Sequence, residues 1–181
     1  MSAAPPLRLF PVEPAGLDGL RTEAFAAAFF EDDLPFAGAL GLVDWRLAGA
    51  LSRLVIRGRL VGRRGERWLL PGRPRLGVDR LLVVGLGARE EASEASLREA
   101  TRELVEVLGR MGVRSFACAL PGRVEGLVDA ERSIEWLLEA TAACGPFYEV
   151  AVFDEPASFR VMQTTYERVL RRFRALLEPL P

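Results

Sequence analysis

The run Leu81-Leu82-Val83-Val84 is the strongest constraint on how this 181-residue chain can fold. It is apolar without interruption, whereas a strand with one wet face alternates polar and apolar residues. Both faces of such a strand must be covered, which predicts a mostly parallel sheet between helical layers. The sequence after it supplies the helices. Over residues 92–111, Leu97, Ala100, Leu104, Val107, Leu108 and Met111 share one face, and Glu99, Arg102, Glu103 and Glu106 point away. Ser96 and Glu99 have capping-box spacing, and Gly112 is placed as a stop. Asp129 caps a second helix through Ile134, Leu137, Leu138 and Thr141, which Gly145-Pro146 ends. A last helix starts at Pro156 and carries Phe159, Met162, Tyr166, Val169, Leu170, Phe173, Leu176 and Leu177 as one stripe.

Further strands are predicted at residues 7–12, 23–30, 67–70, 80–86, 116–120 and 148–153. Pro14, Gly16 and Gly19 mark a turn segment after the first, and Pro71, Gly72, Pro74 and Gly77 a tight loop between the third and fourth. One helix is expected over residues 42–56, where Leu47, Leu51, Leu54 and Val55 fall at helical spacing before Gly58. Strands alternating with helices give an α/β fold, and the length and apolar content suit one domain over residues 1–181.

Composition then limits the chemistry. All 24 basic residues are arginine, and the chain has no lysine, histidine or asparagine. Serine–histidine and cysteine–histidine nucleophiles, histidine zinc sites, Schiff-base lysines and the P-loop lysine are therefore excluded within it. Carboxylate, thiol, hydroxyl and arginine chemistry remain. A net charge of -1 argues against a surface built wholly for nucleic acid. Cys118 and Cys144 are too few and too far apart for a disulfide framework or a CxxC site, and read as packed thiols. With no signal-peptide pattern and no bilayer-length apolar run, a cytoplasmic location off the membrane is expected.

The order of several short motifs carries a resemblance. Phe29-Phe30-Glu31-Asp32-Asp33-Leu34-Pro35, Leu42-Val43-Asp44-Trp45, Gly62-Arg63-Arg64-Gly65-Glu66, Leu69-Leu70-Pro71-Gly72 and Leu82-Val83-Val84-Gly85-Leu86-Gly87 together resemble the N-terminal domain of the leucine (cytosol) aminopeptidase family. The resemblance covers nearly the whole chain. It implies a macro-domain-like, three-layer α/β/α fold with a mixed, mostly parallel sheet, ending in a long helix. It transfers no catalytic residue, because the family's metal-binding chemistry, lysine included, belongs to a C-terminal domain for which this sequence has no counterpart. Macro domains that bind ADP-ribose commonly use an asparagine-containing motif, which this chain lacks. The resemblance therefore implies a chain without cofactor or metal that acts by association, with itself or with a separately encoded protein such as an aminopeptidase catalytic subunit.

Three features bear on ligands. Gly85-Leu86-Gly87 follows a buried strand, where backbone N–H groups can cradle a phosphate, and Arg63, Arg64 and Arg67 lie close by in sequence; a plain strand-to-helix turn is the other reading. Glu31-Asp32-Asp33 is either a hard-cation ligand set or a solvated acidic loop. Between residues 53 and 80, nine arginines (53, 57, 59, 63, 64, 67, 73, 75 and 80) face only Glu66 and Asp79. That excess suits an acidic protein surface or a nucleic-acid backbone, unless internal pairing absorbs it. Trp45, Trp68 and Trp136 are candidate interface anchors or core residues, and Arg168, Arg171, Arg172 and Arg174 complement a helix dipole.

Overall fold

The computed structural model describes residues 4–177, with side chains described through Arg172. Strands β1 (Leu7–Pro11), β2 (Ala24–Phe29), β3 (Arg67–Pro71), β4 (Arg80–Gly85), β5 (Ser115–Cys118) and β6 (Glu149–Asp154) form one sheet in the order β1-β6-β5-β2-β4-β3. Every neighbouring pair is parallel except β3 and β4, so β3 is an antiparallel edge strand.

The uninterrupted apolar strand lies inside, as its composition requires: Leu81 to Val84 of β4 are at most 1% exposed. Leu82 and Val84 point to one face with Ala24, Ala26, Phe116 and Val152. There they meet α4 (Glu94–Arg110), α5 (Ala130–Cys144) and α6 (Phe159–Leu177) through Leu104, Leu108, Ile134, Leu138 and Met162. Leu81 and Val83 point the other way with Phe25, Ala27, Ala151 and Phe153. On that side they meet α1 (Pro14–Asp18), α2 (Gly38–Arg46) and α3 (Ala50–Ile56) through Leu17, Leu40, Val43 and Leu51. Each fully buried Leu, Val or Phe contributes about 1.5–3 kcal/mol, and two such half-cores hold the sheet without a disulfide.

Three local expectations need correction. Residues 42–56 form α2 and α3 rather than one helix: Ala48 and Gly49 take φ of 55° and 74°, and the chain turns. The break is stabilised by Asp44, whose buried carboxylate accepts the N–H groups of Leu51 at 2.8 Å and Ser52 at 3.3 Å. Those are amides that the start of α3 would otherwise leave without partners. Helix α4 is capped by Ser93 and Ser96, not by Ser96 and Glu99, because a 3-10 turn over Arg89–Glu91 and an extended Ala92 occupy the preceding residues. The turn segment after β1 contains the short α1. The loop from β3 to β4 occupies residues 72–79, where the expected strand bounds place it. Asp129 does cap α5, accepting the N–H of Arg132 at 2.8 Å. The α6 stripe is buried at Met162 and Val169; Phe173, Arg174, Leu176 and Leu177 lie outside the residues whose side chains are described.

Candidate functional site at the carboxyl ends of the strands

Strands β2 and β5 are neighbours, but their following loops leave in opposite directions. Residues 30–37 run to α2 on one face, and residues 119–129 run to α5 on the other. Such a reversal opens a crevice outside the carboxyl ends of the strands, the usual ligand position in a parallel sheet. A cavity of about 310 Å³ lies there, lined among others by Asp32, Asp33, Phe36, Arg89, Leu120 and Glu125. Beyond Ala37 and Val124 a second cavity of about 420 Å³ reaches Arg123, Phe153 and Asp154.

The first cavity is lined by three carboxylates and one guanidinium. Arg89 lies over the Phe30 ring, 5.0 Å from its centroid, and holds both Asp32, Nε to Oδ2 at 3.2 Å, and Asp33. Asp33 also accepts the Phe30 N–H at 2.7 Å. Burial pushes the Asp33 carboxyl above the usual carboxylate range, against the pull of that N–H and of Arg89. Burial likewise raises Glu125, with Asp33 and Asp32 adding repulsion. The crevice thus has more negative than positive charge, and its arginine is already committed to two aspartates. Among the described residues no three metal-ligating side chains converge. Glu31-Asp32-Asp33 is therefore a partly internal acidic loop, two of its carboxylates bound to Arg89.

The second cavity is bounded by a bidentate ion pair. Arg123 donates from Nε to Asp154 Oδ2 at 2.8 Å and from one terminal nitrogen to Oδ1 at 2.9 Å. It also donates to the Val128 carbonyl and the Ser158 hydroxyl, each at 2.8 Å. Asp154 ends β6 with 3% of its side chain exposed. The pair fixes the 119–129 loop to the sheet and the start of α6. The charge-assisted bonds that Arg123 donates to Asp154 raise its guanidinium above the ordinary value, so it stays charged.

The residues expected to bind an anion do come together, but their donors are used. Gly85 N–H donates to the Glu66 carbonyl at 2.9 Å, Leu86 N–H to Phe29 at 2.9 Å and Gly87 N–H to Gly62 at 2.8 Å. The N–H groups of Val61, Gly62 and Arg63 converge on a carboxylate supplied by the chain, that of Glu66, at 3.0, 2.7 and 3.2 Å. Trp68 Nε1 adds a fourth bond at 2.9 Å. Burial alone would raise Glu66; the bonds from Trp68 and the three amides outweigh it and hold the group below its usual range. Arg67 pairs with Glu103 on α4. Arg63 and Arg64 are exposed beside this turn and make no ion pair among the described residues.

The arginine-rich segment is divided by the fold. Because β3 and β4 are antiparallel, Arg63, Arg64 and Arg67 lie at one end of the pair and Arg73, Arg75 and Arg80 at the other. Arg73 pairs with Asp79, and Arg53 bonds the Ala48 carbonyl. Trp45 is 63% exposed, while Trp68 and Trp136 are partly buried. Burial pushes the Cys118 thiol up to about 12 and raises Cys144, so both are poor nucleophiles. Sequence reasoning did not single out Arg89, Arg123, Glu125 or Asp154, whose partners are distant in sequence; the one local signal is an aspartate ending the apolar run of β6.

The mixed, mostly parallel sheet with helices on both faces gives the chain a macrodomain-like fold. A Trypanosoma brucei macrodomain solved in complex with ADP superposes with a TM-score of 0.65 at 18% identity, covering 88% of this chain and 67% of that one. A tomato leucine aminopeptidase superposes with a TM-score of 0.61 at 18% identity, covering 94% of this chain and 37% of the other. Residues 27–143 match the cytosol aminopeptidase family, N-terminal domain, and the chain belongs to that family. A probable cytosol aminopeptidase of Dechloromonas aromatica is 30% identical over 138 residues, 75% of this chain and 25% of that protein. The chain thus spans about a quarter of the length of the curated relatives it matches, and the family match is to the N-terminal domain. No described helix is long and apolar enough to cross a membrane.

Proposed function

We propose that this domain acts in the cytoplasm as a non-catalytic association module of the cytosol aminopeptidase family, working through contacts with another protein chain. One observation carries the reading: the two places where this fold and sequence offer an anion site are occupied by the chain's own groups. The crevice holds Asp32, Asp33 and Glu125 against a committed Arg89, and the amides of residues 61–63 hold Glu66. A phosphate entering the first meets excess negative charge, and one entering the second must displace a bonded carboxylate. The absence of lysine and histidine leaves no general base or nucleophile of the kinds excluded above.

Sedimentation velocity of the purified chain, alone and mixed with an aminopeptidase catalytic domain, tests the reading. A complex in either sample is the expected result. A monomer in both contradicts it, and so does hydrolysis of a leucyl substrate in manganese or zinc. The alternative of an anion bound at Gly85 and Gly87 by Arg63, Arg64 and Arg67 has one observation in its favour: Arg63 and Arg64 make no ion pair among the described residues. Nucleic-acid contact through residues 53–80 is weakened by their division between two ends of the hairpin.

A further inference from the structure

We propose that the open edge of β3 is a docking site for an extended, acid-flanked peptide segment of a separate protein, which adds a strand to the sheet. This rests on the association reading and names the surface and the partner's chemistry.

The hydrogen-bond register defines the edge. Gly85 N–H donates to the Glu66 carbonyl and Gly72 N–H to the Asp79 carbonyl, so residues 66, 68, 70 and 72 turn their backbone groups toward β4. Residues 67, 69 and 71 then turn theirs outward. Among the described residues β3 has no other neighbour in the sheet, so the edge presents the N–H groups of Arg67 and Leu69 and the carbonyls of Arg67, Leu69 and Pro71. Leu69 is 55% exposed at its centre, while Trp68 and Leu70 pack on the opposite face of the sheet and anchor the strand. Pro71 lacks an N–H at an outward position, where its absence does not interrupt pairing with β4.

Charge selects the occupant. Arg63 and Arg64 at one end and Arg75 and Arg80 at the other are exposed and without an ion pair among the described residues. The five residues of β3 span roughly 17 Å. A second copy is disfavoured: antiparallel pairing centred on Leu69 carries Arg63 toward Arg75 of the other chain, like charge against like charge. A nucleic-acid backbone would match the arginines but leave the strand's N–H and carbonyl groups and Leu69 without matching partners. An extended peptide with acidic ends and an apolar centre satisfies all three features.

The test uses fluorescence anisotropy with a labelled peptide of alternating threonine and valine bearing two glutamates at each end. A matching peptide with lysines at the ends and single-stranded DNA serve as competitors. Leu69→Pro removes one outward N–H while leaving the β4-facing bonds intact, as Pro71 already does in the same strand. The glutamate peptide is expected to bind about ten-fold or more tightly than the lysine peptide. Leu69→Pro should weaken it to a similar degree without shifting the thermal melt, and amide exchange at Arg67 and Leu69 should slow on binding. Equal affinity for both peptides, binding unaffected by Leu69→Pro, or stronger displacement by DNA than by unlabelled glutamate peptide each overturns the proposal. If sedimentation detects a complex that Leu69→Pro leaves intact, association stands and this edge is not its site. If neither sedimentation nor peptide binding detects a complex, the broader reading fails with it.

Discussion

Replacing Arg123 with methionine is expected to lower the unfolding free energy by about 3–5 kcal/mol, the usual cost of leaving a buried charge without its partner. Arg123 supplies two bonds to Asp154 and one each to the Val128 carbonyl and the Ser158 hydroxyl. The methionine variant leaves a carboxylate with 3% of its side chain exposed and only the Glu155 N–H still bonded to it. Removing both charges, as Arg123→Met with Asp154→Leu, should recover much of the loss, since the solvation penalty disappears with the carboxylate. Urea unfolding of the two variants measures this. A loss under about 1 kcal/mol in the single variant would mean that the pair does not fix the 119–129 loop.

The second large effect concerns Gly85. A Cβ at this position would stand 2.1 Å from the Arg63 carbonyl oxygen and 2.5 Å from the Gly62 carbonyl carbon, both backbone atoms. Gly85→Ala must push the 62–64 segment off the end of β4, and overpacking of this kind costs about 1–3 kcal/mol or more. The displacement also strains the Glu66 nest, because the same segment supplies its amides. Gly87→Ala is the informative companion. Its φ of 85° penalises a side chain, but the nearest atom is 3.5 Å away, so its cost is backbone strain of about 1–2 kcal/mol. Urea midpoints should therefore fall further for Gly85→Ala than for Gly87→Ala. The reverse order would indicate that this glycine pair is set by backbone conformation and not by close packing.

These two sites also mark where the sequence could be read and where it could not. The layers were legible because burial on both faces leaves an uninterrupted apolar run in β4, and burial on one face leaves the helical stripe of α4. The boundary between α2 and α3 was not, since Ala48 adopts positive φ without any signal of its own and Asp44 acts across the break. Gly85 and Gly87 were recognised as special, but the pattern that makes a phosphate cradle also makes a strand end packed against a neighbouring loop. Only the position of the Glu66 carboxylate distinguishes them. Arg89 with Asp33 and Arg123 with Asp154 are separated by 56 and 31 residues, so their pairing depends on the sheet order and has no local periodicity.

The family relation fixes the fold, and the proposed reading takes the carboxylates in the crevice to disfavour a nucleotide there. Calorimetric titration with ADP-ribose tests that reading most directly. With Asp32, Asp33 and Glu125 facing the cavity and Arg89 held by two of them, the account predicts no saturable heat up to millimolar ligand. Saturable binding in the micromolar range that Arg89→Ala abolishes would contradict it.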